Sequence, residues 1–229
     1  MKKVNIIGLG IGNNCFMHRR ASEAIEASDC LIGAKRMLAD FSDSKKEKIE
    51  SINAEEICDY IIKNDKFESF GVLVSGDTGF YSLSKKLTEL LNDRSDIAFS
   101  NIPAIGSLQY FSSKLNIPWD NMKCLSAHGR SINIVSNVMF NKKVFMLTGG
   151  ELTPDKICKI LSKNGFGHLK VSVGENLSYC DERIVEDCAL NISKMNFESL
   201  SVMIVHNDNA LCKDEGLRSI RDDEFITGK

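Results

Sequence analysis

The 229-residue sequence holds only 3 prolines beside 16 glycines, and no segment of it closely repeats another. That scarcity argues against a disordered or repeat architecture. An excess of one charge is also missing. The formal net charge is −2 with acids and bases interspersed, which gives no global pull toward nucleic acid or a membrane surface, so neither partner is expected. Long apolar runs are absent too. The start "MKKVNIIGLGIGNN" is charged, but glycines interrupt its apolar run, so it is too short and too broken for a signal peptide or a membrane span. No CxxC pair occurs. Cys15, Cys30, Cys58, Cys124, Cys158, Cys180, Cys188 and Cys212 match no zinc spacing and read as mostly small core residues of a reduced, cytoplasmic protein. His18, His168 and His206 lack acidic or cysteine partners at ligand spacing, so no metal ligation by side chains is expected.

With 43% apolar residues the chain can bury a sizeable core. "VNIIGLG" (Val4–Gly10) is a short β-run, and "HRRASEAIEAS" places Ala21, Ala24, Ile25 and Ser28 on one helical face. "CLIGA" is a second strand, and the polar "FSDSKKEKIES" is expected to be a solvated loop. Asn53 with Glu56 three residues on has the pattern of a capping box, opening a helix to about Asp65. Phe70–Ser75 is a third strand. Phe80, Leu83, Leu87, Leu90 and Leu91 then recur at helical spacing, followed by the strand "IAFSNI" and the helix "IGSLQYFSSKLNI".

This alternation predicts an α/β domain over 1–116 with a mostly parallel sheet. After "PWDNM" the pattern restarts with "KCLSAH" (strand), "SINIVSNVMF" (helix) and "KVFMLTG" (Lys143–Gly149, strand). A helix opened by Thr153 and Pro154 runs to about Lys163. "KVSVGENLS" and "LSVMIVH" (Leu200–His206) are strand-like, and the charged tail is expected to be peripheral. A second α/β domain over 117–229, with a mixed sheet, is therefore expected.

Three glycine-bearing turns follow strands of the first domain. "GLGIGN" falls short of the dinucleotide fingerprint GxGxxG, because Asn13 stands where the third glycine belongs. Asp29 has the separation expected of the ribose-binding acid but precedes its strand rather than ending it. The second turn, "SGDTGFY" (Ser75–Tyr81), carries Asp77 and no lysine. A phosphate cradle would place backbone N–H groups and a cation there. An aspartate instead suits a ligand bearing positive charge or hydrogen-bond donors; alternatively it caps its own turn. In the third turn, Pro103 and Gly106 bracket the junction from strand to helix. Parallel topology would gather all three on the rim where open α/β sheets bind ligands.

"VNIIGLGIGN", "VSGDTGFYSL" and "IPAIGSLQYFSSKLNIPW" resemble, in order, the glycine-rich start, the "SGDP" turn and the "PGxSS" turn of the tetrapyrrole methylases. "SAHGR" and "GENLSYCDERI" are similar to the branch that methylates C-5 of a late cobalt-precorrin in cobalamin synthesis. Thr78 stands in place of the usual proline, and Ala104 and Gly106 in place of a glycine and a serine.

The resemblance implies two α/β domains with a cleft between them, usually dimeric, and S-adenosylmethionine as methyl donor, released as S-adenosylhomocysteine. It implies donor contacts at Ile11, Asp77, Phe80, Gly106, Ser107, Leu147 and Thr148, with Val205–His206 as looser candidates. The macrocyclic substrate carries carboxylates, for which His128, Arg130 and Arg19 are candidates, with Arg20 beside Arg19, and Glu175 is a further substrate-binding candidate without an assigned role. His128 is a candidate proton acceptor, and Tyr81 is a further catalytic candidate without an assigned role. "GLRSIRDDEFITGK" resembles the segment where relatives continue into a decarboxylating methyltransferase, which implies that this partner activity is a separate protein. The rival readings are the same fold with another tetrapyrrole or a modified protein histidine as acceptor, a nicotinamide-dependent oxidoreductase, and a binding module without turnover.

Overall fold

The computed structural model describes residues 1–12, 14–127 and 132–211. The chain divides into two compact units: Met1–Ile117 with Leu177–Cys180, and Pro118–Asn176 with the chain from Asp181 onward. The short stretch Leu177–Cys180 thus belongs to the first unit although it lies between two strands of the second.

The first unit is a five-stranded sheet of β1 (Lys2–Gly8), β2 (Cys30–Gly33), β3 (Glu47–Glu50), β4 (Ser69–Val74) and β5 (Ile97–Ile102), in the order β3-β2-β4-β1-β5. Every pairing is parallel. Around it in sequence lie α1 (Arg19–Glu26), α2 (Lys35–Ala39), α3 (Ala54–Lys63), α4 (Ser84–Leu91) and α5 (Ser107–Lys114). A parallel sheet covered on both faces needs continuous apolar strands. Accordingly Val4–Gly8 and Phe70–Val74 are buried throughout. Val4, Ile6, Phe70 and Val72 pack with Ile57, Ile61, Leu87 and Leu91 on one side, and Ile7, Leu31 and Leu73 with Ala21 and Ile25 on the other. Each buried Val, Leu, Ile or Phe side chain among these contributes about 1.5–3 kcal/mol.

β3 corrects the expectation of a loop in "KKEKIES". Its charged residues fit an edge strand, where they discourage pairing with other chains. α4 begins at Ser84, so Phe80 belongs to the preceding turn and not to the helix. Asn53 caps α3 through Oδ1, which accepts from the amides of Glu55 and Glu56. The Glu56 carboxylate turns instead to the Ser51 hydroxyl, 2.9 Å away, so only half of the expected box forms.

The second unit is a mixed sheet of β6 (Lys123–Ser126), β7 (Lys143–Leu147), β8 (Lys170–Glu175), β9 (Arg183–Cys188) and β10 (Ser201–His206), ordered β6-β7-β10-β8-β9. β6 and β7 are parallel and the other pairs antiparallel. α6 (Ile134–Phe140), α7 (Pro154–Lys163) and α8 (Ala189–Ile192) accompany it. β9 was not expected from the sequence. It is an edge strand with no fully buried position, so it has no apolar run to announce it. Among the described residues no helix is long and apolar enough to cross a membrane.

Candidate active site

In the first unit, β4, β1 and β5 are neighbours, so the turns that follow them meet at one rim. Gly10 and Gly76 exchange backbone hydrogen bonds, Gly10 N to Gly76 O at 3.2 Å and Gly76 N to Gly10 O at 2.9 Å. Both glycines have positive φ, +75° and +69°, which side-chain-bearing residues rarely adopt. At Gly8 a Cβ would lie 2.8 Å from Gly76 O and 2.9 Å from Ala104 Cβ. Only glycine lets the three turns close this far. His18 Nε2 donates to Pro103 O at 2.6 Å, and Phe16 packs edge-on against Tyr110 with centroids 5.3 Å apart. The segment after β1 is thereby tied to the third turn and its helix.

Asp77 joins the second turn to the third. Its Oδ1 accepts from Gly79 N at 2.8 Å and its Oδ2 from Ala104 N at 2.9 Å. The turn-capping and rim-acid readings of this residue therefore describe one group, a half-buried carboxylate that orders two turns. A carboxylate offers about four lone-pair sites, so two backbone bonds leave it able to accept from a ligand. Phe80 is half-buried and edge-on to Tyr81 at 5.0 Å; Tyr81 is 45% exposed with φ 49°.

Gly106 is buried at the N-cap of α5, and Ser107 is its first helical residue. The serine usual at position 106 would accept from a helix amide, which Gly106 cannot do. Gln109 Oε1 accepts from Gly106 N at 3.1 Å and supplies the return half of a capping pair.

Ile11 O accepts from the Ser178 hydroxyl at 2.9 Å. A Cβ on Gly12, at φ +100°, would overlap the Tyr179 hydroxyl oxygen. Glycine at position 12 therefore admits Tyr179. Asn176 and Ser178 take φ values of 48° and 72° on the way. A pocket of ≈ 310 Å³ opens here, lined by Leu9, Gly10, Gly12, Arg36, Met37, Asp40, Ser75 and Tyr179, all of the first unit. Arg36 donates to the Ser75 hydroxyl at 3.0 Å.

Arg36, Asp40, Ser75 and Tyr179 were not among the residues expected from the sequence. The available signal was topological: β2 lies beside β4, so a residue just after "CLIGA" shares the rim with Ser75. Asp29, by contrast, sits at the opposite end of β2. Its Oδ2 accepts from the amides of Glu68 and Ser69 and from the Ser69 hydroxyl, bonds that hold its carboxyl below the usual range.

The remaining candidates are distributed as follows. Arg19 is exposed and pairs with Glu23 at 2.7 Å one turn along α1, and Arg20 is exposed beside it. In the second unit Leu147 ends β7. Thr148 is buried and donates its hydroxyl to Ser201 O at 2.7 Å. Glu175 is buried at the same end of that sheet, opposite Ser201. Its oxygens accept from Arg183 Nε at 2.6 Å and Glu198 N at 2.5 Å, which makes it a brace for the surrounding chain. Val205–His206 do not join this group. The register sets His206 against Lys143 and Val202 against Leu147, so His206 lies about 13 Å along the strands from Leu147. His128 and Arg130 fall outside the described residues, as do Asn13 and the tail from Cys212.

A rim of glycine turns on a parallel sheet, carrying a carboxylate and no phosphate-binding lysine, stands where open α/β sheets bind ligands. The family model for Tetrapyrrole (Corrin/Porphyrin) Methylases matches residues 3–190, and the chain belongs to that family. The chain is 28% identical over 214 residues to the probable cobalt-precorrin-7 C(5)-methyltransferase of Methanocaldococcus jannaschii, covering 91% of this chain and 100% of that one. It is 30% identical over 184 residues to the cobalt-precorrin-7 C(5)-methyltransferase of Salmonella typhimurium, covering 79% and 88%. Among solved structures, the precorrin-6Y methylase of Archaeoglobus fulgidus superposes with a TM-score of 0.66 at 22% identity, over 90% of this chain and 97% of that one. The uroporphyrin-III C-methyltransferase of Thermus thermophilus, complexed with S-adenosylhomocysteine, gives 0.70 at 15%, over 89% and 92%.

Proposed function

We propose that this chain is an S-adenosylmethionine-dependent C-methyltransferase that methylates C-5 of cobalt-precorrin-7 in cobalamin biosynthesis. The observation that carries the reading is the end-to-end correspondence with the M. jannaschii C(5)-methyltransferase, 100% of which is matched. The decarboxylating C(5,15) enzyme of Sinorhizobium is matched over only 34% of its length.

The rim suits the donor. S-adenosylmethionine is a cation rich in hydrogen-bond donors. The stretches Leu9–Gly12, Ser75–Tyr81 and Pro103–Ser107 contain no lysine or arginine, while Asp77 keeps acceptor capacity beside them. Ile11, Asp77, Phe80, Gly106 and Ser107 would hold it. When bound, the donor supplies an electrophilic methyl group on a sulfonium. The chain's own part is positioning and the exclusion of water. Held reactants in near-attack geometry gain roughly 7–11 kcal/mol over free encounter. The braced turns serve that purpose, since backbone bonds join the first to the second and the Asp77 carboxylate joins the second to the third before any ligand arrives. Arg19 and Glu175, both engaged in local pairs, have no part in this reading.

The protein is further inferred to work in the cytoplasm as a homodimer, with a decarboxylating methyltransferase as its partner activity. The family resemblance supports the dimer, and the Sinorhizobium relative supports the coupling of the two reactions.

The test is methyl transfer from isotopically labelled donor to cobalt-precorrin-7, with uroporphyrinogen III as the competing acceptor. Label at C-5 of the first and none on the second is expected. Label on uroporphyrinogen III alone, or binding of NADH in place of S-adenosylhomocysteine, would overturn the assignment.

A further inference from the structure

The rim described above is electrically divided. On the flank of β1 and β5, the Asp77 carboxylate accepts from Ala104 and no cation lies in the turns. On the flank of β2, the pocket of ≈ 310 Å³ is lined by a guanidinium. Three observations indicate that this pocket is built rather than incidental. Arg36 is held by the Ser75 hydroxyl at 3.0 Å, its one hydrogen bond among the described residues, which leaves further N–H donors for a ligand. The far wall, Tyr179, exists because position 12 is glycine and because Ser178 is bonded to Ile11 O. Reaching it puts two non-glycine residues, Asn176 and Ser178, at positive φ, a conformation retained only where its surroundings enforce it. Leu9 and Met37 supply an apolar floor.

The volume is at the small end for ligand pockets, too small for a whole macrocycle and suited to one arm of it. An arginine fork above an apolar floor matches a short alkyl chain ending in a carboxylate. Asp40, one helical turn from Arg36 and lining the same pocket, would repel a second carboxylate and so restrict the pocket to one arm. We propose, resting on the acceptor assigned under Proposed function, that Arg36 with Ser75 and Tyr179 forms a specificity subsite that seats one peripheral carboxylate of the tetrapyrrole and so fixes which ring carbon is presented for methylation.

Steady-state methyl transfer to cobalt-precorrin-7 is compared for wild type, Arg36→Lys and Arg36→Gln, with S-adenosylhomocysteine affinity measured by calorimetry on each. Arg36→Gln should raise KM for the tetrapyrrole about 10- to 100-fold, the range of a lost charged hydrogen-bonded pair, with kcat changed less than about threefold. Arg36→Lys should fall between, since it keeps the charge and loses the fork. Donor affinity should be equal in all three. Because Arg36 is exposed, loss of folding does not confound the comparison. Wild-type turnover with an unchanged KM in Arg36→Gln would overturn the subsite while leaving the methyltransferase reading intact. A parallel loss of donor affinity would overturn it as well, by placing Arg36 in the donor site. Failure of the wild type to methylate the tetrapyrrole would remove the parent reading and this one together.

Discussion

In the first unit every strand pair is parallel, and in the second only β6 and β7 are. That difference decides how chemistry can be assembled. Parallel strands deliver all their carboxyl ends to one rim, so turns far apart in the chain become hydrogen-bonded neighbours. Gly10 meets Gly76, and Asp77 meets Ala104. Antiparallel strands alternate their ends. In the second sheet the end of β7 therefore meets the beginning of β10, as in the bond from the Thr148 hydroxyl to Ser201 O, while His206 is carried to the opposite end of the strands. The first unit concentrates a site, and the second can offer only what falls at one end of its sheet.

The sharpest way to break the comparison is at Gly8. Gly8→Val would drive a side chain into Gly76 O and the Ala104 methyl. Backbone cannot yield as a side-chain tip does. A stability loss of about 1–3 kcal/mol in urea unfolding is expected, together with loss of S-adenosylhomocysteine binding by calorimetry. Retained ligand affinity would mean that closure of the three turns is unnecessary for binding.

Next in size is a pair of carboxylate replacements, one per unit. In Asp77→Asn the new amide must turn its NH₂ toward the amide of Gly79 or of Ala104, leaving one donor facing another. About 1–2 kcal/mol of stability should be lost, with at least tenfold weaker S-adenosylhomocysteine binding. Glu175→Gln meets the same conflict at Arg183 Nε or Glu198 N and should cost a similar amount without touching donor affinity. Should both variants leave calorimetric affinity untouched, Asp77 would be a brace alone, as Glu175 is.

How far the site can be read from sequence follows from the same contrast. The strand ends and glycine turns of the first unit are local patterns, and a parallel sheet converts them into neighbours without further information. Asp77 was legible for this reason, though its bond to Ala104 was not, because no local pattern specifies a partner 27 residues away. Arg36 and Tyr179 were hidden differently. Arg36 follows a short buried strand with no turn motif of its own, and Tyr179 returns to the first unit from a stretch flanked by the second. β3 and β9 escaped because edge strands bury one face at most, and their charges hide the alternation on which strand recognition depends.

The smallest expected effect concerns His206 and tests whether the far end of the second sheet is purely structural. His206 Nε2 lies 3.2 Å from the Ser172 hydroxyl, which donates to Glu186 at 2.6 Å. Burial pushes the His206 pKa down from 6.5, with the Lys170 and Lys143 charges adding to it and Glu186 and Asp208 opposing. The unfolded chain therefore takes up a proton near pH 6.5 while the folded chain resists until a lower pH, so the unfolded state binds more protons in that interval. Stability due to this group is fully present above 6.5 and declines as the pH falls from 6.5 through the lower folded value. Urea midpoints measured across that interval should slope downward with acid in the wild type and less steeply in His206→Gln. S-adenosylhomocysteine affinity should follow the same course in both proteins, since the histidine stands at the end of the sheet away from Leu147 and Thr148. A His206-dependent change in affinity over that pH range would place the residue in the donor site after all, and would mean that the antiparallel register does not separate the two ends functionally.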